Sequence, residues 1–218
     1  MDEENIDVIA IILKDNSKFW TEQKFGRMYC RQVDSEVWKY PSVTTIMSHG
    51  KKFNGSSPAM SIGTLVHYHI LKRYSKNLLP KPTDHIWNTS RQEVVGRVRR
   101  CLDMWENLNL NINPICVETA LFCHDPRYAG RMDMLAWVDN DLVLIDIKTG
   151  QHYPKHVIQA AAYWHALNRK PQVWFISLDS IIERNPSQEA SIKQFNDYEL
   201  EKGWEKFLDL YTEFTGWE

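Results

Sequence analysis

The chain has 218 residues, 43% of them hydrophobic and 25% charged, with a formal net charge of −2. These proportions suit one globular domain with a buried core and exclude a disordered chain. The apolar run at 6–13 is short and broken by Asp7, and the start Met1-Asp2-Glu3-Glu4 is acidic where a presequence is basic, so no membrane partner and a cytoplasmic location are expected.

In chain order, 6–13 and 27–33 read as strands joined by a polar stretch, and 41–46 reads as a loop entering a short helix with Ser42 as its N-cap. After a Gly/Ser/Pro loop at 50–58, the residues Ile62, Leu65, Val66, Ile70 and Leu71 recur at helical spacing. A second helix is predicted from about 90 to 108, with Val94, Val98, Leu102 and Trp105 on one stripe and Arg91, Arg99 and Arg100 among its polar positions. The segments 115–122, 130–138 and 142–148 are short and rich in β-branched or large apolar residues, which predicts a three-strand meander. Pro154 can begin a helix that runs to about 167, because its missing N–H would be unpaired in a first turn. A strand at 173–178 follows. Leu200, Trp204, Phe207, Leu208 and Tyr211 then mark a closing amphipathic helix at 197–214, before Gly216. The expected architecture is a single mixed α/β domain over 1–218, with a helical, basic insertion at 44–110.

Charge is unevenly distributed. Residues 44–110 hold ten Lys or Arg against four Asp or Glu, whereas 179–218 hold four against ten. A local basic surface of that kind can attract a polyanion, although a solvated charged face has the same composition. The four cysteines, Cys30, Cys101, Cys116 and Cys123, contain no C-x-x-C pair and none follows Cys123, which is not a zinc-ligand pattern.

Chemistry concentrates in Ala129-Gly130-Arg131-Met132-Asp133 and in Asp146-Ile147-Lys148. Both place charge inside otherwise apolar strands. Asp146 and Lys148 are two residues apart and so share one face of a strand. If Asp139-Asn140 form a two-residue hairpin loop, the register that pairs Val138 with Asp141 brings Asp133 opposite Asp146. Two carboxylates buried together call for a cation, and hard oxygen donors favour Mg²⁺ or Mn²⁺. Metal-assisted phosphodiester hydrolysis is the leading chemistry on these residues, with a buried Asp–Lys ion pair as the alternative.

These segments resemble the RecB-like branch of the PD-(D/E)XK nucleases. The matching pieces are Gly130 to Asp133, Asp146 to Lys148, Gln159 to Tyr163, the Gly63 to His67 segment upstream, and Pro41-Ser42-Val43-Thr44-Thr45-Ile46, which is similar to a segment of mitochondrial-genome-maintenance and phage exonuclease relatives. The resemblance spans about 40–180. It implies a restriction-endonuclease-like core with a mixed central sheet flanked by helices. It also implies metal ligation by His67, Asp133, Asp146 and the Ile147 carbonyl, with Lys148 assisting the attacking water. Glu118 matches an acidic position some relatives use near the metal. Gln159 and Tyr163, one helical turn apart, could orient Lys148, water or phosphate, or form an ordinary helix surface pair. Ser42, Thr44 and Thr45 offer hydroxyls to a phosphate, and capping explains them nearly as well. Arg99 and Arg100 are candidate phosphate contacts, and His69 lies on a different helical face from His67.

One subgroup of relatives carries an iron–sulfur cluster on one cysteine before the core and three after it. With nothing after Cys123, no such cluster is expected here. The cluster-free phage, viral and organellar exonucleases are the better comparison. The implied partner is DNA, single-stranded or with a free end. An endonuclease of the same type, or a non-catalytic DNA-binding protein keeping the fold, is the alternative.

Overall fold

The computed structural model describes residues 19–23, 26–50, 58–82, 92–150, 154–167, 170–179, 181–182, 185–186 and 189–215. The predicted strand at 6–13, the loop at 51–57, Arg91 and Gly216 lie outside them.

A three-stranded antiparallel sheet comes first: β1 (Phe19–Gln23), β2 (Arg27–Val33) and β3 (Glu36–Pro41) in sequential order. Helix α1 (Val43–Met47) follows, then α2 (Pro58–Tyr74) and α3 (Gln92–Asn107). The central sheet is built from β4 (Ile112–His124), β5 (Arg127–Val138), β6 (Asp141–Thr149), β7 (Gln172–Leu178) and β10 (Ser191–Phe195), in the order β10-β7-β6-β5-β4. Helix α4 (Pro154–Ala166) is the crossover between β6 and β7, which pair in parallel, while β10–β7, β6–β5 and β5–β4 are antiparallel. A short β8 (Ile181–Ile182) and β9 (Asn185–Pro186) pair with each other, and α5 (Asp197–Thr215) closes the chain.

The sheet is covered on both faces. Ile62, Leu65, Val66, Ile70 and Leu71 of α2 join Cys101, Met104 and Trp105 of α3 against Met134, Ala136, Val143, Ile145 and Ile147. On the other face Ala160, Ala161 and Tyr163 of α4, with Leu200 and Phe207 of α5, pack on Leu135, Leu144, Val173 and Phe175. The segment expected as a helical insertion therefore supplies one of the two helical layers. Its apolar stripes bury the β5–β6–β7 surface that β-branched residues alone could not shield from water. Among the described residues, no helix is long and apolar enough to cross a membrane.

Local chemistry sets the element ends. Asn196 and Glu199 form a reciprocal cap at the start of α5, each side chain accepting the other's backbone N–H at 2.9 and 3.0 Å. A Cβ on Gly203 would lie 2.8 Å from the Val157 carbonyl oxygen, so its absence lets α5 approach α4. The edge strands β1, β3 and β10 had no clear sequence signal. Exposed polar positions interrupt them, as in the half-solvated pattern of Glu36, Val37, Trp38 and Lys39.

Candidate active site

The Val138–Asp141 pairing across Asp139-Asn140 is present, and the β5–β6 ladder runs from it to Met134–Ile145. There the backbone ladder ends. Asp133 sits one step further, and its Oδ2 accepts the Ile147 N–H at 2.7 Å, so a carboxylate stands where a strand carbonyl would be. Beyond this point β5 keeps its ladder with β4, and the two strands continue toward the small sheet, where Ala129 also forms a parallel bridge with Ser42. Charged side chains are admitted at the place where the sheet opens.

His67 reaches Asp133 from α2, with Nδ1 3.3 Å from Oδ1. Glu118 comes from β4 and adopts φ +50°, a left-handed conformation rare in a strand. Its carboxylate lies 3.7 Å from the Arg131 guanidinium. Among the described residues, His67, Glu118 and Asp133 bring three donor atoms to within 4.8 Å of one another. Beside them, Lys148 Nζ stands 2.7 Å from Asp146 Oδ2 and donates to Oδ1 at 2.9 Å. Oδ2 is buried and receives no well-aligned hydrogen bond.

The electrostatics follow from this crowding. Burial raises the Asp133 carboxyl, but the His67 imidazole, the Lys148 ammonium and the Ile147 N–H outweigh it and hold the group below the usual range. Burial and the nearby Asp133 charge push Asp146 upward despite Lys148. Glu118 is raised by burial and by Asp133, against the opposing pull of His67, Arg131 and Arg27. Burial lowers His67 and Lys148, yet the surrounding carboxylates raise both overall.

The donor set fits a hard divalent cation. One imidazole and two carboxylates converge, burial and then the Asp133 charge raise the Glu118 carboxyl, and a buried Asp146 oxygen paired with Lys148 but without a well-aligned hydrogen bond lies alongside. Two of the expected ligands, Asp146 and the Ile147 backbone, have other partners in this geometry. Glu118 stands with His67 and Asp133, while Asp146 is engaged by Lys148. The Ile147 backbone takes part through its N–H, bonded to Asp133.

Two adjoining pockets flank the cluster. Arg27, Tyr29, Ser42, Thr44, Asp133, Gln159 and Tyr163 contribute to one of about 200 Å³. Gly63, Thr64, His67, Tyr68, Leu79, Pro80 and Pro82 contribute to the other, of about 590 Å³. Glu118 and Arg131 line both. Gln159 donates to the Tyr163 hydroxyl at 2.9 Å, and the Tyr163 ring lies directly on Gly130.

Ser42 caps α1, accepting the Thr45 N–H at 3.0 Å, and its hydroxyl also contacts those of Thr44 and Thr45. Thr45 donates to the Arg27 carbonyl at 3.1 Å and lies outside the pocket lining, so its hydroxyl serves the local structure. Arg100 is bound to the buried Asp179, as is Arg97, whose Nε lies 2.6 Å from Oδ2. Neither Arg99 nor Arg100 lines either pocket; that position falls to Arg27 and Arg131. Arg131 had a legible signal, since it is two residues before Asp133 in a strand. Arg27 had none, because only the packing of β2 against α1 brings it there.

No protein-family model matches the chain, and no curated protein matches it. A solved structure of a candidate exonuclease from Eubacterium rectale has a TM-score of 0.53 over 81% of this chain and 82% of that one, at 10% identity. The two proteins share a fold at that level of likeness. A second solved structure, SSO0001, covers 77% of this chain and 82% of its own at 13% identity, with a TM-score of 0.25 that is too low to bear on the fold.

Proposed function

We propose that this chain is a metal-dependent deoxyribonuclease of the PD-(D/E)XK type, in its RecB-like branch, acting as an exonuclease on single-stranded DNA ends in replication, recombination or repair. The observation that carries the reading is the convergence of His67, Glu118 and Asp133 beside the Asp146–Lys148 pair. The fold likeness to a candidate exonuclease agrees with it.

In this reading His67, Glu118 and Asp133 hold Mg²⁺ or Mn²⁺, with Asp146 next to them. The bound cation supplies charge neutralisation at the scissile phosphate and a more acidic water. Arg27, Arg131 and the Thr44 hydroxyl orient the phosphate in the smaller pocket. Lys148, held in place by Asp146, brings a positive charge to the side where the phosphate gains negative charge. Gln159 and Tyr163 brace that pocket through their mutual hydrogen bond.

The deciding experiment incubates end-labelled single- and double-stranded DNA, and circular single-stranded DNA, with Mg²⁺, Mn²⁺ or EDTA. Metal-dependent loss of the linear single strand, with the circle spared, is expected. Cutting of the circle makes the enzyme an endonuclease. No cutting of any substrate in either metal defeats the proposal.

A further inference from the structure

We propose that the 590 Å³ pocket is a subsite for an unpaired nucleobase of the strand being processed, with Tyr68 as its stacking platform. The inference rests on the nuclease reading for the nature of the ligand, and on the pocket itself for the place. The two pockets meet at Glu118 and Arg131 and differ in character. The smaller one presents a guanidinium, hydroxyls and an amide, and at about 200 Å³ it suits a phosphate group. The larger falls in the range of about 300–1,000 Å³ typical of sites for small organic ligands. Its lining includes Tyr68, Leu79, Pro80 and Pro82, with Thr64 among them.

A nucleotide has the same two-part chemistry, with a flat apolar ring at one end and an anion at the other. Tyr68 lines the larger pocket together with His67 and Glu118, so a base against its ring would have its own phosphate near the donor cluster. Lys72, one turn further, places its ammonium 5.3 Å from the Tyr68 ring centroid. Cationic charge beside an aromatic platform is the pattern by which single strands are held without sequence preference. A paired base has both faces stacked and its edge engaged, and so could enter only after leaving the duplex.

The test measures binding in EDTA, where nothing is cut. Fluorescence anisotropy compares a labelled ten-nucleotide oligothymidylate with a ten-mer of the same phosphates built on abasic sites. Wild type should prefer the base-bearing oligomer by about tenfold, the scale of one stacked base. Tyr68→Ala should lose that preference by weakening only the base-bearing complex, and Tyr68→Phe should keep it. Thr64 is exposed and lines the pocket, so Thr64→Trp should fill it and remove the preference with Tyr68 intact; it carries the test if Tyr68→Ala fails to fold. Equal binding of the two oligomers by wild type, or a preference unchanged in folded Tyr68→Ala and Thr64→Trp, overturns the subsite. A Tyr68-dependent preference in a protein that cuts no DNA would retain the subsite and remove the nuclease, so the two failures are distinguishable.

Discussion

Replacing Lys148 by Ala separates a metal centre from a purely structural ion pair. Its ammonium lies 2.7 and 2.9 Å from the two oxygens of Asp146, a residue only 6% exposed, and one of those oxygens is otherwise orphaned. Without metal, the variant leaves Asp146 and Asp133 as neighbouring buried carboxylates with less positive charge near them. Deleting one member of a buried pair costs about 3–5 kcal/mol, and the 24% exposure of the Lys148 side chain places this case near the lower end. A chain of this size loses about 2–4 °C in Tm per kcal/mol, so a fall of about 6–12 °C is expected in EDTA. Asp146→Asn leaves an ammonium with partial access to water, and its cost should be about 1–2 kcal/mol. Manganese then divides the cases. Lys148→Ala keeps His67, Glu118 and Asp133 and releases Asp146 as a further donor, so Mn²⁺ should raise its Tm at least as much as that of wild type. At a hundredfold excess over Kd the gain is about 2.7 kcal/mol, or about 5–11 °C. Thermal scans of wild type and both variants, in EDTA and in Mn²⁺, provide the measurement. Large, equal destabilisation of both variants together with a wild-type Tm indifferent to Mn²⁺ would refute the metal centre.

Gly130→Ala would drive a methyl group into the Tyr163 ring edge, with Cδ1 and Cζ only 3.1 Å away, and the buried ring has little space to retreat. Overpacking of this kind costs about 1–3 kcal/mol, read by chemical denaturation, and displacement of Tyr163 should lower DNA cleavage beyond what the stability loss explains. The basic residues are distinguished by salt. Arg27→Ala should reduce the slope of log affinity for DNA against log salt by about one, whereas Arg99→Ala should leave it nearly unchanged, and the reverse result would move the phosphate path onto α3.

Legibility in the sequence followed the strength of the local pattern. The β5–β6 hairpin could be read to the residue, because two turn positions between alternating apolar strands fix a register, and that register predicts the juxtaposition of Asp133 with Asp146. Helices α2 to α5 announced themselves through apolar periodicity and through Pro154. The small sheet was largely illegible. Apart from β2 its strands are solvated on one side, and their aromatic anchors Phe19, Trp38 and Tyr40 join a cluster completed by Phe122 and Ala129 of β4 and β5. The site divides similarly. Asp133, Asp146 and Lys148 stand out as charges in apolar strands, and His67 as a histidine following a glycine-spaced helix turn. The left-handed backbone that brings Glu118 beside His67 and Asp133 was hidden, since no residue type demands it, although the family resemblance points to that residue. So was the capture of Arg100 by Asp179, two residues far apart in sequence and joined only when α3 docks on the end of β7.

The donor cluster lies where the fold stops making ordinary β-sheet. Three departures from regular structure meet there: a ladder that ends at Met134–Ile145, an Asp133 side chain accepting a strand N–H, and a positive φ at Glu118. The first and the last are unfavourable by themselves, because a lost ladder bond or a left-handed residue costs free energy that neighbouring structure must supply. The supply is visible in the packing. Ile145, Ile147 and Met134 are fully buried under α2 and α3, and Leu135 and Phe175 are buried under α4 and α5, so the strands are fixed from both faces on either side of the gap. Asp133 thereby has two functions that cannot be separated by position. Its Oδ2 completes the sheet through Ile147, and its Oδ1 faces His67 and the donor cluster. A carboxylate anchored by the backbone it completes is preorganised, and a cation that binds there needs no rearrangement of the strand that holds it.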